Sequence, residues 1–266
     1  MAVSKESRTI RRMFADISGR YDLLNHVLSL NVDRSWRRRA AKELGVRPGD
    51  RLLDVCTGTA DLALELARRV QSAEGGHVCG TDFCREMVEI GERKRLGKDE
   101  DRLSLTVGDA LELPFTDASF DGVTVAFGVR NLCDLRRGLG EMRRVLKPGG
   151  RLGILEFTTP RSKWFASLYA FYFRRVLPRI GRWLSSHPTG AEAYTYLPAS
   201  VSEFPTAPAF CSLLEEVGFR AVRHVLLTGG IAALYLGERT RDAAATVDER
   251  DGLEPGSVEG TAWTRP

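Results

Sequence analysis

The stretch Arg51–Ala67, RLLDVCTGTADLALELA, decides how this chain reads. Arg51–Cys56 is an apolar run of strand length, Thr57-Gly58-Thr59 is a turn of small residues, and Asp61–Val70 has helical spacing. A strand that passes through such a turn into a helix puts the helix's free N–H groups at the strand's end, where they face a ligand. The GxGxxG fingerprint of dinucleotide sites is missing, because Cys56 and Ala60 stand where glycines would be expected, and there is no phosphate-cradling Walker loop. By itself the turn reads equally well as a ligand loop or as an ordinary strand-to-helix connection.

The pattern repeats outward from it. His77–Asp82 reads as a second strand with Glu86–Arg95 as its helix, Leu103–Val107 as a third strand and Asp121–Phe127 as a fourth. Leu135–Leu146 follows as an amphipathic helix, stopped by Lys147-Pro148-Gly149-Gly150, and Arg151–Phe157 is a fifth strand. Helices of this length between strands imply right-handed crossovers and a parallel sheet. Ala221–Leu227 and Ile231–Gly237, joined by Thr228-Gly229-Gly230, read as a hairpin that turns the last strand antiparallel. The expected fold is α/β: a Rossmann-like, doubly wound, mostly parallel seven-stranded sheet ending in an antiparallel C-terminal hairpin. That is the pattern of class I S-adenosylmethionine-dependent methyltransferases, an analogy of fold that carries no function alone.

Composition narrows the class. The 266 residues carry a formal charge of only +4, too mild to require a nucleic-acid partner. Five cysteines, Cys56, Cys79, Cys84, Cys133 and Cys211, are scattered without CxxC spacing, which argues against a disulfide scaffold or a cysteine-built zinc site and for a reducing cytosol. Cys56, Cys79 and Cys84 read as small buried hydrophobes. With four histidines, a His-rich metal site is not expected either. The N-terminus lacks the apolar core of a signal peptide, and no window approaches the roughly 20 apolar residues of a membrane span. The expectation is a cytoplasmic protein that at most sits peripherally on the inner face of the membrane. Residues 157–191 stand apart, with no acid, six Lys/Arg and, Phe157 aside, seven aromatics. They fit a lid packed on the core, an apolar groove meeting anionic headgroups, or both. Residues 240–266, polar and Gly/Pro-containing, are expected to be a disordered tail.

Three acids mark strand ends. Asp54 precedes the small-residue turn, Asp82 follows 28 positions later, and Asp109 in Gly108-Asp109-Ala110 another 27 on. An acid in Asp82's place hydrogen-bonds ribose hydroxyls, or caps the next helix. Asp109 suits an adenine amino group beside apolar neighbours, or again a cap. The joint pattern, completed by FDGVTVAF and KPGGRL, resembles S-adenosylmethionine-dependent methyltransferases.

A longer match narrows the resemblance. Arg20-Tyr21-Asp22-Leu23-Leu24-Asn25, LLDVCTGTADLA, FGVRN (Phe127–Asn131), LKPGGRLGILEFTTP, Ala193-Tyr194, Tyr196-Leu197-Pro198, Ser200-Val201, Phe204-Pro205 and the late LTGGI-AALYLG are similar to the ubiquinone/menaquinone biosynthesis C-methyltransferase family. The likeness spans roughly residues 8–239, although Pro188–Glu192 is slightly longer than the family pattern. It implies methyl transfer from S-adenosylmethionine, without a metal, to a ring carbon of a polyprenylated quinol, making menaquinone from demethylmenaquinone, with the benzoquinol precursor of ubiquinone a further substrate of some members. It carries Thr59, Asp82, Asp109 and Ala110 over as cofactor contacts, with Gly58 lining the same turn and Ala126 standing where many members have serine.

The chemistry points to more residues. A quinol carbon becomes nucleophilic when its neighbouring hydroxyl ionises, so a cation for the quinolate and polar groups holding a base or water are needed. Arg130 is expected to stabilise the anion, with Asn131 and Tyr21 positioning substrate or water; alternatively Arg130–Asn131 only ties a loop. The expected organisation is an N-terminal helical cap over the substrate side at 1–45, a methyltransferase domain at 46–239 with a lid insert at about 158–205, and the tail at 240–266. Transient membrane-surface association and no nucleic acid are expected, with homodimerisation open. The alternatives are a methyltransferase of another hydrophobic small molecule, sterol- or polyketide-like, and a catalytically inactive cofactor- or RNA-binding module.

Overall fold

Buried positions along Arg51–Val55 (β1) run unbroken from Leu52, as a central parallel strand requires. The computed structural model describes residues 7–22, 29, 31–71, 75–96, 101–158, 196 and 199–241. Among them the further strands are β2 (His77–Asp82), β3 (Leu103–Val107), β4 (Phe120–Ala126), β5 (Leu146–Phe157), β6 (Phe219–Leu227) and β7 (Ala232–Arg239). The helices are α1 (Ser7–Ile17), α2 (Asp33–Glu43), α3 (Asp61–Ala67), α4 (Arg85–Arg95), α5 (Leu135–Val145) and α6 (Ala207–Val217). The lid insert at 158–205, except its ends, and nearly all of the 240–266 tail lie outside the described residues.

The seven strands form one sheet in the order β3-β2-β1-β4-β5-β7-β6. β1 to β5 pair in parallel, and β7 is antiparallel to both β5 and β6, so the hairpin closes the sheet as expected. Chain order reverses between β1 and β4, which opens a crevice at the carboxyl ends of these strands.

One boundary is corrected. The helix does end before Lys147-Pro148-Gly149-Gly150, at Val145, but the strand starts at Leu146 rather than Arg151: Leu146 already pairs with Phe120, and the four residues are accommodated where the β4–β5 register shifts before Gly122 meets Arg151. The strand begins early because Leu146 is fully buried against the core.

One face of the sheet packs Leu53, Val55, Val123, Val125 and Ile154 against Leu139, Met142 and Val145 of α5 and Phe210 and Leu214 of α6. The other face takes α2 and α3. In α2, Asp33, Trp36, Arg37, Ala40 and Ala41 recur at helical spacing as the buried stripe. Trp36 closes the cleft end of this face, its ring against Phe127 and Phe157 and its indole N–H on Thr228 Oγ1 at 2.9 Å. Among the described residues no helix is long and apolar enough to cross a membrane.

Candidate active site

β1 ends where Cys56 enters the left-handed region at φ 53°, followed by Gly58 at 56° and Ala60 at 68°. Two of these three are not glycine, and such backbone persists only where the surroundings hold it. Here Asp54 does so: its carboxylate accepts from Thr57 Oγ1 and from Thr124 Oγ1 of β4, both at 2.7 Å. The Thr57 N–H donates to Thr81 O of β2 at 3.0 Å. Burial pushes Asp54 up to about 6 against these two hydroxyls and the nearby Arg37.

Asp82 completes the turn. Its Oδ2 accepts the Gly58 N–H at 2.8 Å and its Oδ1 the Cys84 N–H at 2.9 Å. It therefore ties the β1 turn to the residue that precedes α4 but does not cap that helix, whose N-cap is Cys84, and each carboxylate oxygen keeps a lone pair for a ligand. Burial pushes it up to about 6 as well, against these two N–H groups. Asp109 accepts the Leu111 N–H at 2.9 Å beyond β3.

These groups border a cleft of about 680 Å³, part of it open to solvent. Gly58, Asp82, Asp109 and Ala110 line one end, Asn131 and Cys133 the other, and Phe14, Tyr21, Met87, Phe127 and Leu132 supply apolar walls. A polar recess of about 290 Å³ adjoins it, lined by Arg37, Asp54, Thr57, Thr59, Asp61 and Ala126, with Tyr21 and Cys56 bordering both spaces. Tyr21 lies against the turn: a Cβ at Gly58 would stand 3.5 Å from its Cε1.

The structure thus gathers every anticipated residue but one around the two spaces. The exception is Arg130, which lines neither and is only 7% exposed. Its Nη1 pairs with Glu156 Oε1 at 2.7 Å and donates to Phe127 O at 2.5 Å, while its backbone N–H donates to Glu156 Oε2 at 3.2 Å. Glu156 neutralises the guanidinium and holds it away from the cleft, so the loop-tying reading describes this side chain and the expectation that it faces the substrate is corrected. Asn131 does reach the cleft, and Tyr196 donates to its Oδ1 at 2.9 Å.

Thr59 also differs from expectation. Its hydroxyl donates to Asp22 Oδ1 at 2.5 Å and accepts from Lys94 Nζ at 2.9 Å. Lys94 further binds Asp22 at 2.5 Å and Asp61 at 2.8 Å, using all three of its N–H donors to staple the N-terminal segment beside Tyr21 onto the β1–α3 turn. Cys56 is corrected too: it is partly exposed and borders the cleft, although burial and the Asp82, Asp54, Glu156 and Asp109 carboxylates drive its thiol well above the usual range and keep it from acting as a thiolate nucleophile.

Lys94, Arg37, Glu156 and Tyr196 were given no site role from the sequence. Two of them leave a trace there: Glu156 is an acid inside the apolar run Leu152–Phe157, and Tyr196 belongs to the Tyr196-Leu197-Pro198 motif.

Residues 1–239 match the ubiE/COQ5 methyltransferase family. The chain belongs to that family. Ubiquinone/menaquinone biosynthesis C-methyltransferase UbiE of Geobacter sp. (strain M21) is 47% identical over 90% of this chain and 99% of its own length. Demethylmenaquinone methyltransferase of Deinococcus radiodurans is 47% identical over 88% and 94%, and that of Thermus thermophilus 45% identical over 85% and 100%. Among solved structures, a SAM-dependent methyltransferase from Aquifex aeolicus superposes with a TM-score of 0.55 at 21% identity, over 76% of this chain and 88% of that one. Phosphoethanolamine N-methyltransferase 2 of Haemonchus contortus, in complex with S-adenosyl-L-methionine, gives 0.58 at 14% identity, over 78% and 53%. At these identities the two structures speak for the fold.

Proposed function

We propose that this family member methylates a ring carbon of a prenylated quinol, converting demethylmenaquinol to menaquinol. The observation that carries the reading is the 47% identity to a demethylmenaquinone methyltransferase across nearly the whole of both chains. The donor is S-adenosylmethionine, and the residues present fit it. Asp82 and Asp109, each with acceptor capacity toward the cleft, suit a ribose diol and an adenine amino group. The recess, with Asp54, Asp61 and Arg37 together, suits the ammonium and carboxylate of an amino acid. Bound there, the sulfonium supplies an electrophilic methyl carbon and leaves as a neutral thioether.

The chain's own residues then have to align and polarise the acceptor. With the donor bound, the ring carbon of the ionised quinol would give the electron pair of the new carbon–carbon bond as the methyl–sulfur bond broke, and the ring proton would then have to leave to restore aromaticity. Asn131 and Tyr21, at the cleft, hold the quinolate oxygen or the water that takes the proton, while Arg130, locked on Glu156, fixes the loop that carries Asn131. A lipid-soluble substrate calls for docking at a membrane surface, and residues 157–191 are the segment proposed for it; apart from its first two residues this segment lies outside the described residues.

The relatives named for both quinone pathways favour a second acceptor, the benzoquinol precursor of ubiquinone. Labelled S-adenosylmethionine offered with short-chain demethylmenaquinol and, separately, with that benzoquinol tests both. Labelled naphthoquinol is the expected product; label in both rings establishes a dual enzyme, and label in neither, with the cofactor still bound, overturns the reading.

A further inference from the structure

Asn131 stands in a short 3-10 turn, Val129–Asn131, between β4 and α5, with its own N–H on Gly128 O at 3.0 Å. The turn's backbone is fixed from below by Glu156 through both the N–H and the guanidinium of Arg130. None of these contacts sets which way the Asn131 amide faces. A carboxamide has an acceptor oxygen at one end and a donor NH2 at the other, and the two ends act oppositely on an anion. Tyr196, 65 residues away in sequence, meets the oxygen end with its O–H.

We propose that Tyr196 is a positioning residue of the methyl transfer: by engaging Asn131 Oδ1 it leaves the amide nitrogen as the group presented to the cleft, where it donates to the quinolate oxygen. The inference rests on the quinol reading above. An amide turned the other way would set lone pairs against the developing charge and disfavour the same step. Tyr196 is suited to act as a donor: burial, with Glu156 and Glu203 nearby, outweighs Arg130 and holds its phenol above the ordinary range. It also lies in the Tyr194–Val201 run that the sequence marks as distinctive yet no catalytic expectation had used.

Tyr196→Phe keeps the ring and removes the O–H. The expected result is a kcat on demethylmenaquinol lowered about ten-fold, the scale of one hydrogen bond to a charged group, with the cofactor Kd unchanged by calorimetry. Because Tyr196 acts through Asn131, the Tyr196→Phe/Asn131→Ala pair is expected to be no slower than Asn131→Ala alone. Wild-type kcat in Tyr196→Phe, or losses that simply add in the double variant, overturns the assignment. Asn131→Asp gives an independent check, since it places a carboxylate oxygen where the NH2 stands: kcat is expected to fall further than in Tyr196→Phe, and retained kcat overturns the proposal. Absence of turnover by the wild type on either quinol strikes the functional reading instead.

Discussion

At the β2 end of the cleft, Asp82 takes two backbone N–H groups from the turns on either side of it; at the β4 end, Arg130 and Asn131 are held by side chains, Glu156 and Tyr196, brought from 26 and 65 residues away. The first arrangement needs only strands in the right order, because a strand end, a turn and a helix start always offer N–H groups there. The second needs specific partners to arrive from elsewhere. The Asp82 end is therefore held through its backbone, whereas the Asn131 end, proposed to take the acceptor, depends on a few named side chains.

The largest expected effect falls on the acceptor end. Glu156→Ala leaves Arg130 buried without its partner and should cost about 3–5 kcal/mol of stability by denaturant unfolding. Replacing both Glu156 and Arg130 by leucine should recover most of that while turnover stays low, since the Asn131 loop loses its anchor. Recovery of turnover as well would show that the pair serves stability only.

The cofactor end is probed through its charge. Asp82 and Asp54 both rise from 3.8 to about 6 on folding, so the folded state binds their protons more readily than the unfolded chain. The sign follows: their ionised forms weaken the unliganded fold above pH 6, and that fold gains stability as pH falls from about 6 toward 4. Cofactor binding should run the opposite way, because the ribose hydroxyls need an ionised acceptor. Calorimetry is expected to show affinity about ten-fold weaker at pH 5 than at pH 7, and a flat profile would remove Asp82 from the ribose site.

The smallest effect tests the strap between the N-terminal segment and the turn. Lys94→Met frees Asp22, Asp61 and Thr59 from their shared cation and should cost about 1 kcal/mol of stability. Cofactor affinity should fall several-fold as Tyr21 loosens from Gly58, with kcat at saturation nearly unchanged. A loss confined to kcat would move Lys94 from the cofactor end to the acceptor end.

Residues such as Asp82 and Asp109 were legible because their places follow from strand period and turn chemistry, which are local. Thr59 was legible as part of the turn but not in its partners, since Asp22 and Lys94 reach it from 37 and 35 residues away. Arg130 misled for the same reason: its position after β4 is local, whereas the direction of its side chain was set by a carboxylate on β5.

By itself, the sequence determined the alternation of strands and helices, the antiparallel C-terminal hairpin, the acids at three strand ends and the family. Only the tertiary structure decided which of those acids share a cleft, that Arg130 turns inward to Glu156, that Tyr21 is strapped over Gly58, and that Tyr196 sets the face of Asn131. Hydrophobic period and turn residues act over a few positions and can be read along the chain, but a buried charge or amide is oriented by whichever partner the packing delivers, and that partner has no fixed spacing.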